Sequence, residues 1–198
     1  MLVEKERVKT KMVLPVFVYG MPVLRKIAPE IPEDFEELDQ LIEDMFETMH
    51  ASDGVGLAAP QVGKSLRIFV VDTTPMAQNR EEPELKDWKK VFINPYILEE
   101  WGDPWSFEEG CLSLPNLREE VMRPSHVRIE YYDENWELQE EVYEGIQARV
   151  IQHEYDHLDG KMFTDKVTPI RRKLLRSRLK AISKGRVDCD YRIIYPKK

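Results

Sequence analysis

At 198 residues, with 42% hydrophobic and 33% charged residues, the sequence fits one soluble globular domain of ordinary size with room for a core. No apolar run approaches the roughly 18 residues needed to span a bilayer, and the opening MLVEKERVKT is charged and lacks the apolar stretch of a signal peptide. Two cysteines, Cys111 and Cys189, make no disulfide framework, so the expectation is a cytoplasmic protein in which a special cysteine is a ligand or a nucleophile.

The net charge of −8 is unevenly spread. Residues 161–198 carry 13 Lys/Arg against 3 Asp/Glu, a net +10, which leaves −18 on the first 160. Either the basic tail meets a polyanion, over an acidic body unsuited to binding DNA, or it neutralises that body.

In chain order, the opening is broken by Pro15, Pro22, Pro29 and Pro32, with VFVY as a short strand candidate. A helix is predicted over about 34–50. Its buried stripe is Phe35, Leu38, Leu41, Ile42, Met45, Phe46 and Met49, at 3/4 spacing. DGVGLAAPQVG follows with neither helical nor strand period. LRIFVVD reads as a strand, residues 74–89 as an exposed polar loop, and KVFINP, EEVM, HVRIEYYD and ELQEEVY as further strands, mostly antiparallel because the links are short. Helical period returns from Glu144 to Leu158, with Ile146, Val150, His153, Glu154 and His157 on one face. A last helix covers about 169–183, its stripe Leu174, Leu175, Leu179 and Ile182 ringed by Lys and Arg. The tail 187–198 offers IIYP as a short edge strand. The expected fold class is α+β in a single domain over 1–198: mostly antiparallel sheets around a central helix, with one helix N-terminal and one C-terminal to it.

Three stretches carry chemistry. In HEYDH, His153 and His157 stand at i and i+4, so a helix brings both imidazoles to one ion. Glu154 lies beside the first of them, able to face a water at that ion without being a ligand, as metal-assisted hydrolysis requires. A catalytic site wants a third protein ligand, and Cys111 in EGCLSLP is the candidate that stands out. GVGLAAPQVG suits close backbone approach to a substrate, and its Gln61 has an amide to offer an oxyanion. Its Gly-x-Gly lacks a third glycine in phase and precedes a strand, which argues against a nucleotide loop. His50, His126 and Cys189 read as structural or surface residues.

With GVGLAAPQ, EGCLS and HEYDH in this order, the chain resembles the bacterial-type peptide deformylases, from about Met21 through the last helix. The resemblance implies a metallohydrolase that removes the formyl group from N-formylmethionine of nascent chains and releases formate. It implies one divalent ion on Cys111, His153 and His157, Fe²⁺ in the cell with Zn²⁺ or Ni²⁺ as replacements. Glu154 would be the general acid/base, and Gln61 with the Leu112 N–H the oxyanion hole. Val55 and Gly56 would meet the substrate chain, through the backbone at Gly56. Ile146, Val150 and the Glu109–Gly110 backbone would line the methionine pocket, with Arg118 further along the peptide. Arg149 departs from the apolar residue expected on that helix and leaves the pocket edge open. The basic last helix would dock on the ribosome near the tunnel exit. The loop 74–89 and the tail 187–198 have no functional reading.

Two rivals share the motif. A zinc endopeptidase would want a third histidine or glutamate downstream, and no histidine follows His157. A structural metal site in a ribosome-binding module would leave Glu154 dispensable.

Overall fold

The computed structural model describes residues 11–77 and 85–197. Its strands are β1 (Val16–Phe17), β2 (Gly56–Ala58), β3 (Ile68–Asp72), β4 (Lys89–Trp101), β5 (Trp105–Gly110), β6 (Arg118–Arg123), β7 (His126–Tyr132), β8 (Leu138–Glu144) and β9 (Ile193–Ile194). Its helices are α1 (Leu38–Ala51), the four-residue α2 (Thr74–Ala77), α3 (Gly145–Leu158) and α4 (Pro169–Ile182). The expected α+β class is what is found.

Five strands form one antiparallel sheet in the order β2-β3-β4-β7-β8. Alternation along β3 explains its layers. Phe69 and Val71 point to the side of α3, among Ile146, Val150 and Ile151. Ile68 and Val70 point to the side of α1, among Leu41, Ile42, Met45 and Met49. All four are fully buried, each contributing about 1.5–3 kcal/mol by leaving water. The sheet is therefore covered on both faces, which is why LRIFVVD shows a continuous apolar run rather than alternation.

α3 is buried nearly all round: Ala148, Ile151 and Leu158 are inaccessible, and Arg149, Gln152 and Asp156 are buried as well. A helix so enclosed is ordinarily apolar throughout; here buried polar residues replace part of that surface. Gly160, at φ +68, turns the chain away just past the helix end.

The structure departs from the sequence reading at several places. GLA forms β2, pairing with β3, and APQV turns as a 3₁₀ helix, where no period was legible. β5 pairs with β6 so that Glu109 faces Glu119 and Gly110 faces Arg118, and EGCLSLP is thus partly strand. Alternation is present in β5 and β6, but the inward positions include Glu109, Glu119 and Arg123, and those charges mask it. The loop expected over 74–89 is anchored rather than freely exposed: α2 begins it and Leu85 is fully buried near its end, residues 78–84 lying outside the described part. On α4, Leu175, Leu179 and Ile182 are buried at i, i+4 and i+7, whereas Leu174, one residue out of phase, is 63% exposed. The tail does add a strand, with β9 lying parallel to β1.

Candidate metal centre

Cys111 follows directly on β5, in the connection to β6, while His153 and His157 sit one turn apart on α3. Their donor atoms, one sulfur and two ring nitrogens, all lie within 4.8 Å of one another. Cys111 Sγ is 3.3 Å from His157 Nε2. His153 Nδ1 is 2.8 Å from the Glu109 carboxylate, which orients the ring and leaves Nε2 for an ion. Both histidines are buried, and burial holds the pKa of His157 well below its usual value, the neutral state a ligand needs. A sulfur and two imidazoles suit a borderline divalent transition ion, and three protein ligands leave a position open.

Glu154 projects beside this group and is 4% exposed. Its Oε2 is buried with no hydrogen-bond partner. Burial pushes its carboxyl up to about 7, where it can take and give a proton near neutrality. Gly56 lies against it: a Cβ on Gly56 would stand 2.4 Å from Glu154 Oε1.

Gln61 is fixed at both ends of its amide. The Ala58 N–H donates to Oε1 at 2.8 Å, and Nε2 donates to Cys111 Sγ at 3.4 Å. Nε2 keeps a second N–H, and Gln61 borders the cleft. The cleft has a volume of about 420 Å³, within the range of small-ligand sites.

Among the expected site residues, Val55, Gly56, Gln61, Glu109, Gly110, Cys111, Leu112, Arg118, Val150, His153 and Glu154 all border this cleft. Ile146, expected in the methionine pocket, does not: it packs in the core beneath, near the start of α3. His157 is not among the cleft-lining residues: it is buried, with Nε2 against Cys111 Sγ. His50 pairs with Asp72 and His126 stacks on Trp101, both as structural residues.

Glu109 does more than its expected backbone role. Its buried carboxylate accepts from Arg123 Nε and Nη2 (2.6 and 2.9 Å), from Arg149 Nη1 (2.9 Å) and from the His153 ring. Arg123 reaches on to Asp156 at 2.7 Å. Burial alone would raise the Glu109 pKa, but the Arg123 and His153 donors hold it well below the usual carboxylate range. Arg149, which left the pocket edge open in sequence, borders the cleft, and its guanidinium is held by Glu109 and by the Trp105 and Val121 carbonyls. The only sequence signal for this was an arginine on a helix face that otherwise reads as buried.

The family model for polypeptide deformylase matches residues 13–173. The chain belongs to the polypeptide deformylase family. The peptide deformylase of Christiangramia forsetii is 50% identical over 190 residues, 93% of this chain and 97% of that one. The crystal structure of peptide deformylase from Thermus thermophilus superposes with a TM-score of 0.76 at 40% identity, over 88% of this chain and 100% of that one. A Met-ala-ser-bound class I type b peptide deformylase from Acinetobacter baumannii gives a TM-score of 0.71 at 36% identity, over 80% of this chain and 100% of that one. The chain is accordingly a metal-dependent hydrolase that removes the N-formyl group from nascent polypeptides. Among the described residues no helix is long and apolar enough to cross a membrane.

Proposed function

We propose that deformylation in this chain is carried out by Cys111, His153 and His157 as the ligands of one divalent ion, with Glu154 as the proton carrier. The observation that carries this is the convergence of the three donor atoms within 4.8 Å, beside a buried carboxylate oxygen that has no partner. A divalent ion there supplies Lewis acidity to a carbonyl oxygen and to water. Glu154 takes a proton from the attacking water and delivers it to the amine that leaves, because an amine departs poorly as an anion. The Gln61 Nε2 amide and the Leu112 N–H donate to the oxygen of the formyl group as negative charge builds on it. Losing one such donor costs about 10²–10³ in rate.

The backbone of Val55 and Gly56 runs alongside the substrate chain. The methionine side chain is received by Val150 and the Glu109–Gly110 backbone, with Ile146 supporting from the core and the clamped Arg149 closing the edge. Arg118 meets residues after the methionine. Binding of Met-ala-ser by the Acinetobacter baumannii relative supports a peptide in this cleft. We take the ion to be Fe²⁺ in the cell, replaceable by Zn²⁺ or Ni²⁺, since the donor set accommodates all three. We treat residues 1–198 as one catalytic domain working in the cytoplasm, where nascent chains emerge.

Ribosome docking near the tunnel exit falls to α4. Of its cations, Arg171 is taken up by Glu119, and Arg172 by the Thr164 and Asp165 carbonyls. Lys173, Arg176 and Lys180 are exposed and are the ones offered to phosphate.

Glu154→Ala tests the reading. Formate release from formyl-Met-Ala-Ser should fall at least about 10³-fold with the ion still bound. Loss of metal and fold together would instead indicate a structural ion.

A further inference from the structure

The family match ends at residue 173, yet the cleft has a wall from beyond it. Tyr191 stands among the cleft-lining residues, and its hydroxyl donates to the Leu112 carbonyl at 2.8 Å. Leu112 is the residue whose N–H is assigned above to the oxyanion. Its N–H lies in the peptide plane of the Cys111 carbonyl, which accepts from the Leu114 N–H at 2.8 Å, and its own carbonyl lies in the next plane; holding both planes narrows the φ and ψ left to Leu112 and so where the N–H points. The next carbonyl, on Ser113, is also held, by the Tyr19 N–H at 2.9 Å. Both anchors belong to one ribbon. Val16 N–H donates to Arg192 O and Val18 N–H to Ile194 O, which seats β9 beside β1 and carries Tyr191 to the loop. A further tie joins Asn116, a few residues along the same loop, to the Asp188 carbonyl. Burial raises the Tyr191 phenol, which therefore keeps its proton and remains a donor.

We propose that the segment 187–195 is part of the catalytic apparatus and that Tyr191 is a positioning residue, its hydroxyl holding the Leu112 main chain so that the Leu112 N–H faces the reacting oxygen. The inference rests on the oxyanion reading of Leu112 given above. Tyr191 touches no reacting atom; it acts through the peptide it holds. This gives the tail, which had no functional reading in sequence, a defined task.

Tyr191→Phe tests it on the full chain loaded with Zn²⁺, since the ring stays in the cleft wall and only the hydroxyl is lost. The expected kcat on formyl-Met-Ala-Ser falls about tenfold, the scale of one hydrogen bond, with KM changed less than about twofold. Metal content stays equal to the parent, and the Leu112 and Ser113 amide resonances shift in the ¹⁵N NMR spectrum. An unchanged kcat at a temperature where the variant is folded overturns the proposal. So does a fall in kcat with those amides unmoved, or one that tracks lost metal. Gln61→Leu, assayed alongside, separates the two readings. A loss of kcat there with none in Tyr191→Phe defeats the tail's role alone. No loss in Gln61→Leu defeats the oxyanion reading and the proposal with it.

Discussion

Gly56→Ala should disable the enzyme without unfolding it. The added Cβ would lie 2.4 Å from Glu154 Oε1 and 2.8 Å from Glu154 Cδ. Ordinary contact needs about 3.5 Å, so something must move by about an ångström. The strand is poorly placed to yield: Gly56, Leu57 and Ala58 are registered against Val71, Val70 and Phe69, and the Ala58 N–H is committed to Gln61. Glu154 has no hydrogen bond at Oε2 to hold it and is the group that gives way. Misplacing a reacting group by about 1 Å costs roughly 10²-fold in rate, while overpacking of this kind costs about 1–3 kcal/mol of stability. The expected outcome is therefore a kcat near one hundredth of the parent, a modestly lowered Tm and full metal content. Formate release from formyl-Met-Ala-Ser, with metal analysis and a melting curve on the same anaerobic sample, measures all three. A variant within about threefold of parental kcat/KM would refute the packing argument.

Arg123→Met should destabilise by about 3–5 kcal/mol, because it strips a buried guanidinium from Glu109 and Asp156 and leaves their charges under-compensated; a urea midpoint unchanged from the parent would contradict this. Acid sensitivity should depend in part on Glu141. Burial pushes that carboxyl up, but donors from Lys90, Tyr131 and Tyr143 outweigh burial and hold it below its usual 4.5. Its folded pKa is the lower one, so its stabilisation is complete above the unfolded value and is lost as pH falls through the folded one. The Tm gap between parent and Glu141→Gln should thus narrow from pH 7 toward pH 3, and a constant gap would rule the argument out. Replacing Lys173, Arg176 and Lys180 together by Glu should weaken ribosome binding by more than about tenfold and flatten its salt dependence, with tripeptide turnover unaffected; sedimentation with ribosomes that matches the parent would remove α4 from that role.

The helices and the central strands were legible because their inward positions are apolar. Met45 and Met49 at the 3/4 spacing declare a buried face in sequence, and the unbroken apolar run from Ile68 to Val71 declares a strand buried on both faces. The metal group was legible because His153 and His157 are neighbours on one helix, and because Cys111 is a thiol in an otherwise cysteine-poor body. What escaped was paired charge. β5 and β6 bury Glu109, Glu119 and Arg123, each satisfied by a partner distant in the chain, such as Arg171 for Glu119. Such pairing follows no local period. It becomes readable only once the chain has brought residue 109 against 123, 149 and 153. Tyr191 was hidden for the same reason, since its partner is a backbone carbonyl that carries no sequence signature.

The pairing of β1 with β9 has a consequence for biosynthesis. Val16 is made long before residues 192–194, but the carbonyls it and Val18 require belong to Arg192 and Ile194. Everything between them is made first. The ribbon is among the longest-range contacts in the described chain and among the slowest kinds to close, since the whole intervening loop must be gathered in. An enzyme whose work is to trim other chains during their synthesis thus cannot complete β1 until its own residues 192–194 have been made.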